Sequence, residues 1–207
     1  MKKKFTSLLI ILSLILFSSC GTFQRLSLKN HKTYCDVDSA NMGFSRQYPQ
    51  SFTIYPFRNT TWYKEAGPRA REATFQAFSL IGNCTRLEET DKRATRPYNG
   101  SDALRVAREE NTDAVVLGEA ITQDHFYFFL LSYAYVKVRL AVYDTRTGKL
   151  LWKGETWSLS TDYGITWIAP ISAIIDHYYW SRQTMDLYHR VSMDFVNDLR
   201  PDVLSVR

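Results

Sequence analysis

The chain has 207 residues, 26 lysines and arginines against 21 aspartates and glutamates, and a formal charge of +5. Three of those positive charges are the lysines at 2–4, so residues 20–207 carry only +2, too little to argue for nucleic-acid binding. That length suits one domain plus a tether and is enough to bury a sizeable core.

Met1-Lys2-Lys3-Lys4 and the apolar run from Leu8 to Phe17 have the charged and hydrophobic regions of an export signal. The run is too short for a bilayer span, which needs ~20 apolar residues. Leu16-Phe17-Ser18-Ser19-Cys20-Gly21 resembles the lipobox of bacterial lipoproteins, with Phe17 where that pattern usually has Leu. The resemblance implies cleavage after residue 19 and lipidation of Cys20. It also implies a membrane held by acyl chains rather than by a helix, each buried methylene contributing ~0.8 kcal/mol. Gly21, in place of the Asp that marks inner-membrane retention in such proteins, points to the outer membrane and a periplasm-facing chain. The expected organisation is a signal peptide at 1–19, a lipidated tether at 20–48 and a single domain at 49–207. Cys35 and Cys84 then remain in an oxidising compartment, where they either pair and pin the tether to the domain or stay separate thiols. Neither belongs to a Cys-x-x-Cys pair.

Within the domain, Ser51 to Pro56 alternates like a half-buried strand, and Pro68 to Ile81 places Ala70, Ala73, Thr74, Ala77, Phe78 and Ile81 on one helical face. A short strand at 84–88 and a polar loop precede a helix that starts after the N-cap Ser101 and ends near Asn111. Ala114 to Gly118 reads as a central strand and Tyr133 to Tyr143 as an alternating one, with Lys137 and Arg139 opposite the apolar set. The turn Asp144 to Lys149 should return the chain as a hairpin arm over 150–160, and a final helix spans 184–199. The order β-α-β-α-β-β-β-α predicts an α/β (α+β) fold, a mixed sheet of about five strands with helices packed on it.

Three segments resemble a superfamily of envelope lipoproteins that includes the curli-secretion channel subunit, the activators of penicillin-binding proteins and the N-terminal domain of the Tol translocation protein. They are Ile54 to Thr61, Asn111 to Glu119 and Val142 to Trp152, and the likeness covers roughly 50–200. It implies a non-enzymatic module that binds other envelope proteins or assembles into an export apparatus, the alternative being an oligomeric secretion-pore subunit like the curli channel, and it transfers no catalytic residue. The residues themselves agree, for they contain no Walker loop, Gly-x-Ser-x-Gly or His-Glu-x-x-His, and no metal or cofactor site is expected. An envelope hydrolase using Asp176 and His177, or a ligand pair of His177 with His189, is the weaker alternative.

Two apolar stretches stand out, His125 to Leu131 and Tyr163 to Ile175. If the last three strands form a meander with turns at 123–131 and 144–149, both stretches reach one end of the sheet, while parallel first strands bring the tether to the other. Phe126, Phe128, Phe129, Leu131, Trp167, Ile168 and Ile171 then form either a contact surface for a partner, a second copy or the membrane, or a plug that caps the core. No small-molecule substrate is indicated.

Overall fold

The computed structural model describes residues 34–35, 49–87, 100–128, 131–163 and 169–199. Among them the elements in chain order are β1 (Tyr34–Cys35), β2 (Ser51–Ile54), β3 (Arg58–Asn59), α1 (Ala66–Phe78), β4 (Asn83–Arg86), α2 (Gly100–Glu109), β5 (Ala114–Phe128), β6 (Leu131–Asp144), β7 (Leu150–Tyr163) and α3 (Ala169–Leu199). The strands form one mixed sheet in the order β1-β7-β6-β5-β2-β4, with β3 also pairing β5. β2 runs parallel to both β4 and β5, and β5, β6 and β7 form an antiparallel meander, so the expected α/β architecture holds.

Each local choice has a physical cause. Phe52 and Ile54 of β2 enter the main core, while Thr53 turns to the opposite face and shares a 2.7 Å hydroxyl contact with Thr112. The small residues Ala66, Ala70, Ala73 and Ala77 let α1 approach the sheet closely, and Thr74 Oγ1 meets Ser192 Oγ of α3 at 3.2 Å where the two helices cross. α1 stops at Phe78, short of the expected Ile81, because the chain must turn through Gly82, where a Cβ would lie 2.7 Å from the Gln50 carbonyl oxygen. Asn111 ends α2 at φ 54°, a conformation that Asn tolerates better than most residues. α2 covers the other face, where Val106 and Ala107 pack against Tyr55, Val115 and Leu117. The turn after β6 is built as expected: Asp144 Oδ1 accepts the Thr147 N–H at 2.6 Å, and Gly148 takes φ +68°.

Five expectations are corrected. β5 does not end at Gly118 before a turn at 123–131 but continues to Phe128, paired with β6 up to Phe128↔Leu131. A register shift between Ala120 and Thr122 breaks the period-2 alternation there, and this bulge is what hid the strand. β7 likewise reaches Tyr163, and α3 begins at Ala169, with Pro170 in its first turn where no helical N–H is needed.

The tether, in turn, is not free of secondary structure, since Tyr34 pairs with Glu155 and Cys35 with Gly154. Finally, β1 and β4 lie at opposite ends of the strand order, five strand spacings or ~24 Å apart. A disulfide needs Cα atoms within ~7 Å. Cys35 therefore does not bridge Cys84 within one chain, and Cys84 is a free thiol that burial pushes up to about 11.

A candidate interaction surface on the distal sheet

The meander has two halves. β2, β4 and α2 flank only the proximal half of β5, and the cluster under α2 ends at Leu117. Beyond it the outer face of the sheet carries a row of alternating charge, set by register: Arg58 on β3 lies beside Glu119 on β5, Arg139 on β6 and Glu155 on β7. Arg139 donates from Nη1 to Glu119 at 3.1 Å and from Nη2 to Glu155 at 2.6 Å, Arg58 sits 3.5 Å from Glu119, and Lys137 pairs with Glu155. Desolvation works against ionisation of Glu155, but the bonds and charge of Lys137 and Arg139 outweigh it and hold the carboxyl below its usual range. The row thus holds ionised carboxylates between cations and ties β3, β5, β6 and β7 together across the sheet.

Above the row, Tyr135 and Trp157 pack with ring centroids 5.6 Å apart, flanked by half-buried Tyr133 and Leu159. Burial raises the Tyr135 phenol, with Lys137 opposing. The inner face at this height is mixed: buried Gln123, Thr156, Ser158 and Ser160 stand beside core residues Ala134, Val136 and Val138 of β6. Tyr188 of α3 donates its hydroxyl to Gln123 Oε1 at 2.8 Å, whereas Gln123 Nε2 and Thr156 Oγ1 find no partner among the described residues.

Beside β5 stands the loop between β3 and α1, with Trp62 99% exposed at its crest. Directed bonds hold this loop in place. Thr60 N–H and Oγ1 both donate to the Ala120 carbonyl, Asn59 Nδ2 donates to the Tyr63 carbonyl at 2.6 Å, and the Tyr63 hydroxyl meets His125 Nδ1 at 2.6 Å.

Phe126, Phe128 and Leu131 lie at the distal strand ends, which the Leu131↔Tyr163 pair joins to the end of β7, and Ile171 lies near the start of α3. The backbone thus brings Phe126, Phe128, Leu131 and Tyr163 to one end of the meander. Cys20, Phe129, Trp167 and Ile168 lie outside the described residues. His177 and His189 sit twelve residues apart on one helix, ~18 Å along its axis, too far to share a metal. Among the described residues no group of three or more His, Cys, Asp or Glu is placed to hold one.

Sequence reasoning missed the charge row and Trp62. Counting across the 144–149 turn from Arg139 would have found Glu155 to within the one-residue shift at Val142/Tyr143. Nothing in the sequence distinguished Trp62 from a core tryptophan.

No family model matches the chain, and no curated protein matches it. Among solved structures, a variant of the PelC dodecamer from Paraburkholderia phytofirmans is 14% identical, covering 79% of this chain and 96% of that one with a TM-score of 0.50. Lipoprotein GNA1162 from Neisseria meningitidis is 18% identical over 66% of this chain and 99% of its own, with a TM-score of 0.44. The LpoB C-terminal domain from Escherichia coli is 15% identical over 56% and 87%, with a TM-score of 0.39. What the chain shares with the PelC variant is the fold, an α/β domain of the kind expected from the sequence.

Proposed function

We propose that this chain is a non-catalytic lipoprotein, anchored through Cys20 in the outer membrane on the periplasmic side, that serves as an accessory or assembly factor in cell-envelope biogenesis or export. The observation that carries this reading is the distal half of the meander. Its outer face bears Tyr133, Tyr135, Trp157 and Leu159 with no described helix over them, and Trp62 is held out beside it. Tryptophan and tyrosine on a preorganised surface are the residues from which protein-binding hot spots are built. The strand ends at Phe126, Phe128 and Leu131 adjoin this contact region, and the proposal counts Phe129, Trp167, Ile168 and Ile171 among the residues of the same contact. No cofactor, nucleic acid or small-molecule substrate enters this reading.

A photo-crosslinking residue in place of Trp157 or Trp62, activated in intact cells, tests it. Discrete adducts with an envelope protein or with the chain itself are expected, and a substituent at exposed Arg146 on the proximal turn is expected to give none. Equal or absent labelling at all three sites would refute the assignment.

A second reading is an oligomeric secretion subunit. Among the described residues, 121–128 of β5 and 156–163 of β7 have neighbours on one side only, and the two strands run in the same direction. One copy's β7 edge is therefore able to pair in parallel with the next copy's β5 edge, a head-to-tail contact that closes into a ring when the rotation allows. The PelC structure is itself a dodecamer. Negative-stain imaging of the detergent-extracted protein separates the readings, because rings are expected only from the second.

A further inference from the structure

We infer that the distal end of the sheet faces the bilayer in which the N-terminus is anchored, with a phospholipid surface as its occupant; this rests on the proposed lipidation of Cys20. The carrying observation is the direction of β1. It pairs antiparallel to β7 with Tyr34 opposite Glu155 and Cys35 opposite Gly154, and β7 runs from the proximal Leu150 to the distal Tyr163. The direction of β1 before Tyr34 therefore points along β7 toward the distal end, where 156–163 have no second neighbour among the described residues. The chain still enters β2 at the proximal end, as expected, where the Ser51 N–H donates to Asp113, and it is the direction of β1 that favours a distal lipid face.

The lengths agree with that path. From Cys20 to Tyr34 is fourteen residues, a reach of at most ~46 Å. From Glu155 to Tyr163 is eight, or ~27 Å of strand. A tether leaving along β7 thus clears the distal end with ~19 Å to spare. Putting the proximal end on the bilayer instead requires the chain to double back against its own strand direction.

The chemistry of the two ends points the same way. The proximal end presents the turn Asp144 to Lys149 with Arg146 and Lys149 exposed, together with exposed Glu109 and Asp113. The distal end is where β5 finishes in Phe126-Tyr127-Phe128 and β6 starts at Leu131, two residues before half-buried Tyr133. Aromatic residues next to an apolar run suit the headgroup boundary of a bilayer, and a ring of charged turn residues does not.

The test uses the full-length lipidated protein in vesicles of phosphatidylethanolamine and phosphatidylglycerol, with Cys35→Ser and Cys84→Ser removing the other thiols. A fluorophore is placed by Phe128→Cys or, separately, by Tyr133→Cys at the distal end, and by Thr147→Cys on the proximal turn. Circular dichroism of each variant checks that it is folded. Nitroxide-bearing lipids are expected to quench the distal labels severalfold more than the label at 147. A protein that floats with the vesicles but shows equal quenching at all three positions, or more at 147, overturns the orientation and leaves the anchored accessory reading standing. A protein that does not float at all overturns both.

Discussion

The proximal and distal halves of the same three strands are built on different principles. In the proximal half β6 offers Val138, Leu140 and Val142 to a core that α1 and α3 close with Ala70, Ala73, Val191 and Phe195, while α2 seals part of the reverse side. Trp152 packs edge-on against Phe195 and donates its indole N–H to Asp198 at 2.9 Å, so the C-terminal end of α3 is fixed by both burial and a directed bond. In the distal half β6 still gives the core Ala134 and Val136, but their partners on β5 and β7 are Gln123, Ser158 and Ser160, and Tyr133, Tyr135 and Trp157 stand on the opposite face. One half is closed by apolar burial, whereas the other gives part of its interior to polar groups and keeps apolar surface for something else.

Substitutions should therefore separate stability from association along the length of the strands. The largest effect is expected proximally: Phe195→Ala empties the space beside Trp152 and should cost about 3–5 kcal/mol in denaturant unfolding. A loss below about 1 kcal/mol would mean that this half is not the stabilising one.

At the boundary, Glu119→Gln removes the carboxylate that Arg58 and Arg139 share and should cost about 1–2 kcal/mol. The neighbouring Glu155 gives the row a pH signature. Its native carboxyl titrates below its usual range, so its contribution is present above the unfolded-state value of ~4.3 and is lost as the pH falls through the lower native one. Asp144, where burial is outweighed by the Thr147 backbone and side-chain bonds, behaves in the same sense. Melting curves from about pH 7 to pH 3 should fall less steeply for Glu155→Gln than for the wild type; parallel curves would deny the row its role.

In the distal interior, Thr156→Val replaces a buried hydroxyl with no described partner by a methyl group, and stability should stay level or rise by up to about 1 kcal/mol. A loss of about 2 kcal/mol would show that the hydroxyl is paired. The smallest effect on folding belongs to Trp62→Ala, which should leave unfolding within about 0.5 kcal/mol while removing crosslinked adducts from intact cells. Destabilisation there would mark the indole as part of the fold.

Much of the proximal half was legible because its residues obey one period each. Phe52 and Ile54, the alanines of α1, and Val136 to Val142 repeat at the spacing of the element they form. The distal half escapes such reading because the bulge at Ala120/Thr122 shifts the parity of β5 and places polar Thr122 to His125 where an alternating strand would not. The 163–175 stretch reads as a plug or a patch, although its second part is the opening of α3, a helix whose apolar residues run in both parities there. The candidate surface was legible only as an end of the sheet. Phe126, Phe128 and Leu131 could be placed there from sequence, but the charge row and Trp62 could not.

The sequence by itself determined the local elements, the Asp144–Gly148 turn, the meander and the parallel first strands, because periodicity, turn chemistry and crossover rules act over a few residues or follow from element order. Tertiary structure alone decided that Cys35 and Cys84 lie on opposite edges, that Glu119, Arg139 and Glu155 share one row, and that β1 runs antiparallel to β7. Each of these depends on which strands become neighbours and in which register. That choice is made by the burial of whole faces against the helices, and no short window of residues contains it.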